Sequence, residues 1–338
     1  MSTPSPGAGR HKLVVLDRAA VARLLPRGKG FELASTALQE VSLRQGVLPN
    51  RMIIRISDET GAVLSVMAGV LHQPLLAGAK ISAVHPENRH RGLPGHHGTV
   101  LLFDTDTGRP VAILHGGEIT ARRTAAATAV ATRALARGNS RVLALIGAGE
   151  QASHHLDALV QCMPIEEVRI WSQTPQRAQS FIRQHTTANA ELIAHTSVEA
   201  AIKGADIICT LTSAPNPVLF GRHLEPGQHL NAVGSSSRQF REIDDEAVAR
   251  TKFYADYLPM LHAEGGEYRS ALAAGAITPV HVVGEIGEVL LGSKPGRQSD
   301  SEVTLFKSLG IIAEDLTAAD YAVAVAVADN QGVHVAFD

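Results

Sequence analysis

The spacing of hydrophobic positions changes twice along this chain. From Leu13 to about Gly117, short apolar runs alternate with turn residues. Residues 51–56, 62–67, 79–84, 99–103 and 110–114 read as strands, with Asp106-Thr107-Gly108 turning between the last two. Residues 33–45 carry helical spacing. This stretch predicts an antiparallel or mixed sheet with its own core. A segment rich in Ala, Leu and Arg then runs from Ile119 to Arg137 and stops at Gly138-Asn139, which predicts one long helix bridging two parts of the chain. From Ser140 to about Gly310, strand-like runs at 142–146, 168–171, 192–195, 206–210, 229–233 and 252–255 alternate with helical segments such as 151–160, 176–184 and 198–203. That order predicts a doubly wound parallel sheet. Beyond Ser301 the spacing predicts two more helical segments, the longer at 313–327 and placed to return to the first part.

The junction after the first strand of the alternating region carries the sharpest chemistry. The run Val142-Leu-Ala-Leu-Ile146 ends on Gly147, and Gly147, Gly149 and Ala152 form G-x-G-x-x-A between a buried strand and a helix. The first glycine permits a tight turn, and the second lets backbone approach a pyrophosphate. The small third residue lets the helix pack, with its N-terminal N–H groups facing the anion. Ala148, Glu150 and Gln151 complete this predicted dinucleotide loop. The second strand of such a unit often ends in an acid that grips the ribose. Here it is followed by Ser172, Gln173, Thr174, Pro175, Gln176 and Arg177. No carboxylate repels a 2′-phosphate, Ser172 and Thr174 can donate to one, and Arg177 can pair with one. NADP(H) is favoured, with NAD(H) possible. The predicted fold is α/β, with a Rossmann-type domain over 125–316. A discontinuous β-rich α+β domain spans 13–124 and 317–338, and a disordered Ser/Pro/Gly-rich tail covers 1–12.

Composition narrows the partners. The chain is 45% hydrophobic with a formal charge of -2, so it carries no global field for nucleic acid or an anionic membrane. Aromatic residues make up only 4%, too few for base stacking as a binding mode. No apolar run reaches the length of a membrane span. Two cysteines, Cys162 and Cys209, build no disulfide framework and point to the cytoplasm. Several of the histidines cluster between His85 and His115 without helical pairing or C-x-x-C, so no metal is expected. His96 and His97 lie where they can edge a pocket. Glu118 sits near a helix start, where an acid suits the dipole.

Six stretches resemble the ornithine cyclodeaminase/μ-crystallin superfamily: Gly117-Glu-Ile-Thr-Ala-Arg-Arg-Thr-Ala-Ala126, the Gly147 loop, Gly204-Ala-Asp-Ile-Ile208, Asn231-Ala-Val-Gly234, Arg241-Glu-Ile-Asp-Asp245 and Thr304-Leu-Phe-Lys-Ser-Leu-Gly310. They follow the family's order. The resemblance implies a homodimer acting on small α-imino or α-amino acids. It gives Arg51 and Arg123 as carboxylate-binding arginines and Lys80 as the active-site lysine. It also brings Thr124, Val233 and Ser308 to the cofactor. A planar guanidinium holds a carboxylate by paired hydrogen bonds, and an ammonium adds a compact donor. Where the cyclodeaminases carry an aspartate after Asn-Ala-Val-Gly-Gly, this chain has Ser236. A serine hydroxyl is no base at neutral pH without an activating partner. The resemblance therefore points to a reductase of cyclic ketimino acids, with Lys80 or Ser236 beside the imine nitrogen. Ornithine cyclodeamination and cofactor-bound ligand binding without turnover are its rivals. The proton for the imine is left to solvent or a pocket group.

Overall fold

The computed structural model describes residues 12–187 and 189–337. The first half contains β1 (Lys12–Leu16), α1 (Arg18–Leu24), α2 (Arg27–Ser42), β2 (Gly46–Val47), β3 (Met52–Ser57), β4 (Ala62–His72), β5 (Leu75–Val84), β6 (His96–Phe103), β7 (Pro110–His115) and α3 (Gly116–Leu135). There follow β8 (Val142–Ile146), α4 (Glu150–Cys162), β9 (Glu167–Trp171), α5 (Pro175–Gln184), β10 (Glu191–His195), α6 (Val198–Ile202), β11 (Ile207–Thr210), β12 (His229–Ala232), α7 (Asp245–Ala249) and β13 (Lys252–Ala255). The chain ends through α8 (Leu258–Glu264), α9 (Gly266–Ala273), β14 (Val282–Glu285), α10 (Ile286–Leu290), β15 (Thr304–Lys307), α11 (Ile312–Ala328) and β16 (Val333–Ala336). The expected tail lies outside the described residues, except that Lys12 begins β1.

Sheet order gives the architecture. The first sheet runs β16-β1-β7-β6-β5-β4-β2, with β3 also on β4, and is antiparallel apart from β1 on β7. The second runs β10-β9-β8-β11-β12-β15-β13-β14 and is parallel throughout. Its strands are apolar on both faces because helices cover both. Leu143 and Leu145 of β8 pack in one core with Leu156 and Leu159 of α4, while Ala144 and Ile146 point into the other. The order reverses between β8 and β11, the position at which open α/β sheets bind ligands. Helix α3 joins the halves: Ala127 and Ala131 enter the core of the first sheet, Ala125 and Ala129 that of the second. Among the described residues no helix is long and apolar enough to cross a membrane.

Three expectations are corrected. The helix expected over 33–45 begins at Arg27 and ends at Ser42. The strands expected at 62–67 and 79–84 extend into one long hairpin, 62–72 against 75–84. Past Ser301, one of the two expected helical segments is the buried strand β15, and the chain closes with β16 beside β1.

Candidate active site

Gly147 sits at the C-terminal end of β8 with φ +129, a conformation open to glycine. A Cβ there would lie 2.6 Å from the carbonyl oxygen of Leu211. Gly149 is the N-cap of α4, and a Cβ on it would meet nothing within 4 Å. The loop thus turns against β11 at its first glycine and opens into a cleft of about 1000 Å³ at its second. Thr124, Gly147, Ala148, Gly149, Glu150, Gln151, Ser172, Arg177, Val233 and Ser308 all line that cleft, as do Arg123 and Ser236 at the other end. Thr174 is not part of the wall; it precedes α5 as an exposed N-cap. A glycine cradle at a helix N-terminus, with no acid at the end of β9, fits a dinucleotide.

The three expected cations converge. Lys80, on β5, is 5% exposed, and its Nζ donates to Asp315 Oδ2 at 2.7 Å and Thr120 Oγ1 at 3.3 Å. Arg123, on α3, donates from Nε to Asp315 Oδ1 at 3.1 Å and from Nη1 to Glu314 Oε2 at 2.6 Å. Arg51 donates to the carbonyl oxygen of Leu309 at 2.8 Å and to Ser236 Oγ at 3.3 Å, and its Nε is buried without a partner. Burial works against every one of these charges. It lowers the pKa of Lys80 to about 8, aided by nearby Arg123. It also lowers that of Arg51, again with Arg123 contributing. In Arg123 the opposing pull of Asp315 and Glu314 exceeds the burial effect and holds its pKa above the ordinary value. Since Lys80 loses its charge as pH rises through about 8, kcat/KM for an anionic substrate is expected to fall above that pH. Lys80→Gln should flatten that limb. A profile unchanged by the substitution would remove the lysine from the cradle.

Several contributors were not legible in the sequence. Glu314 and Asp315 open α11, where a pair of acids reads as an ordinary helix start. They are instead fully buried partners of the cations. Burial raises Glu314 to about 7, and its Oε1 has no hydrogen-bond partner. Asp256 Oδ2 accepts from the backbone N–H groups of Leu309 and Gly310 at 2.6 and 2.7 Å, fixing the crossover into α11. Glu242 accepts from Thr210, Thr212 and the Gly234 N–H, which ties the loops after β11 and β12 to each other beside Ser236. Glu118 is taken up by Arg122 and Arg18. It also lies near Glu150 and His154, with ligand atoms within 4.8 Å of one another, but arginines already hold both carboxylates. His96 and His97 open β6 and fall on opposite faces of the sheet.

Fold and cleft define an α/β protein whose glycine loop faces a buried cationic cradle across one groove. The chain belongs to the ornithine cyclodeaminase/mu-crystallin family, which it matches over residues 14–330. It is 33% identical to a Δ1-pyrroline-2-carboxylate reductase of Bacillus cereus, over 96% of this chain and all of the relative. It is 36% identical to mouse (Mus musculus) ketimine reductase mu-crystallin, over 80% of this chain and 82% of that one. Among solved structures, Thermococcus litoralis Δ1-pyrroline-2-carboxylate reductase in complex with NADH and L-proline superposes with a TM-score of 0.92 at 31% identity. It covers 96% of this chain and 100% of its own.

Proposed function

We propose that this protein reduces cyclic ketimino acids, Δ1-pyrroline-2-carboxylate or Δ1-piperideine-2-carboxylate, to proline or pipecolate. The observation that carries this reading is that Arg123 lines the glycine-loop cleft while Arg51 and Lys80 bond its wall residues Ser236 and Thr120. Reductases of such imines among its relatives support it. The two guanidinium groups and the ammonium hold the substrate carboxylate, and their fixed geometry orients the ring. Gly147, Gly149 and the N-terminus of α4 hold the pyrophosphate, with Thr124, Val233 and Ser308 along the same groove. A bound NAD(P)H supplies the hydride for the imine carbon. Ser236 keeps its hydroxyl toward Arg51, and a serine hydroxyl in the place of the cyclodeaminase aspartate is no base for ring closure. Ammonia release from ornithine with catalytic NAD+ is therefore expected to be absent.

We infer a preference for NADPH, because Ser172 and Arg177 line the groove where an acid would repel a 2′-phosphate. Arg177→Ala is expected to lower kcat/KM with NADPH about tenfold, ~1.4 kcal/mol, and to leave NADH within about twofold. Equal losses with both cofactors would contradict that role. The deciding experiment for the whole reading is a panel of cyclic and linear imines with both cofactors, followed at the nicotinamide absorbance. Tight NADPH binding without oxidation by any imine would replace the reductase with a ligand-binding protein.

We further propose a homodimer. Among the described residues strand β3 pairs only with β4, with its register shifted between Arg55 and Ser57. Met52 and Ile54 share one face at 59% and 47% exposure, and Ile53 and Ile56 are exposed at 50% and 53%, so the strand is an apolar strip bare in the single chain. A second copy covering that strip accounts for it. Ile54→Asp is expected to shift the protein to monomer in light scattering. A wild type that is already monomeric at micromolar concentration would end this proposal.

A further inference from the structure

His96 is a polar group with no hydrogen-bond partner among the described residues, placed beside the substrate cradle. Its position follows from register. In the β5–β6 pair Lys80 faces Val100, Ser82 faces Gly98, and Val84 faces His96. Alternate residues share a face, so Lys80, Ser82 and His96 project from the same side of the sheet. That is the side on which Lys80 reaches Asp315 of α11 and Thr120 of α3. Between them, Ser82 is 4% exposed and its Oγ is buried without a partner, standing over the bare Cα of Gly98. The charged groups that act most on His96 come from four elements: Lys80 of β5, Arg123 of α3, Asp315 of α11 and Glu150 of α4. Unlike fully buried Lys80, His96 is partly covered yet keeps a face open to water, with which it can exchange protons.

We propose that His96 is a catalytic acid of the ketimine reduction, protonating the imine nitrogen as the neighbouring carbon accepts hydride. The inference rests on the reductase reading above. Lys80 is a poorer candidate for this proton. Its ammonium is pinned by Asp315, and its charge serves the carboxylate. The reaction balances: the C=N carbon gains hydride from the reduced nicotinamide, which is oxidised. The nitrogen takes the imidazolium N–H proton, and imidazole regains a proton from solvent. In the free protein, partial burial and then the fields of Lys80 and Arg123 hold the imidazole below its usual pKa. A bound carboxylate offsets those cations and raises it again, so the group gains its proton when substrate is present. Ser82 Oγ supplies a hydroxyl partner on the same face to hold the ring or a bridging water.

The test compares wild type with His96→Asn, which keeps a hydrogen-bonding side chain but cannot titrate in this range. Expected are a fall in kcat of roughly 100-fold or more, KM values for imine and NADPH within about threefold, and loss of the lower descending limb of the pH profile. The upper limb, from Lys80, remains. Added imidazole should restore part of the activity of His96→Gly. Independently of turnover, the NMR-monitored pKa of His96 should rise when pyrrole-2-carboxylate, a planar non-reducible mimic, is added. Unchanged kcat, an unchanged lower limb, or an imidazole pKa indifferent to the mimic would overturn the proposal. A wild type that reduces no cyclic imine would instead sink the reductase reading. Matching NADPH affinity and unfolding midpoints show that the variants are folded.

Discussion

Arg123→Ala is expected to be the most damaging single change in this protein, in activity and in stability alike. Its guanidinium faces Asp315 and Glu314, both fully buried, and packs against Gly310, where a Cβ would lie 2.6 Å from its Nη1. Removing it leaves buried Glu314 without its cation and Asp315 with Lys80 alone, a break that costs about 3–5 kcal/mol in buried pairs. It also removes the charged hydrogen bonds proposed for the substrate carboxylate, at roughly 1.5–3 kcal/mol each. A loss in kcat/KM of about 100-fold or more is expected, together with a lower urea midpoint. Arg123→Lys separates the two effects. It keeps one positive charge for the acids and should recover part of the stability, but it lacks the planar fork and should remain impaired in kcat/KM. Normal kcat/KM in either variant would exclude Arg123 from the site, whatever happened to stability.

The second large effect is a contrast between neighbouring glycines. Gly147→Ala places a methyl 2.6 Å from the Leu211 carbonyl oxygen on backbone at φ +129. Relief requires movement of β8 against the loop after β11, so both folding and cofactor affinity should suffer. A loss of about 1–3 kcal/mol in stability is expected from strain of this kind. Gly149→Ala meets no protein atom and sits at φ -100, so its stability should be near wild type. Its methyl projects into the groove where the pyrophosphate is proposed to lie, and NADPH affinity should drop at least about tenfold, ~1.4 kcal/mol. Fluorescence titration with NADPH alongside thermal unfolding measures both quantities. If Gly149→Ala bound cofactor normally, the placement of the pyrophosphate at this loop would be wrong.

The elements legible in the sequence were those whose signal is local. The run into Gly147 and the helix that follows it are specified within about twenty residues, and both occur where expected. The long α3 was readable from its alanine content, but it starts at Gly116 and ends at Leu135, with extended Ala136 as its cap instead of the expected Gly138-Asn139 pair. What failed was short or nonlocal. Thr304–Lys307 is a four-residue strand buried on both faces, too short to display a period, and its neighbours read as helix. The terminal strand β16 earns its place only by pairing with β1, more than 300 residues away in sequence. Arg51, Lys80 and Arg123 were found through motif resemblance. Their acidic partners were missed because Lys80 and Asp315 lie 235 positions apart, and nothing near Asp315 announces a buried cation. Of the residues expected after β9, Ser172 and Arg177 line the groove, while Thr174 is the N-cap of α5 and is not among its lining residues.

The crossover at Leu309 and Gly310 is secured from both sides, by Asp256 through its N–H groups and by Arg51 through its carbonyls. It connects β15 of the parallel sheet to α11, which carries the acids of the cradle. A change at this crossover would therefore reach the parallel sheet and the acids of the cradle together.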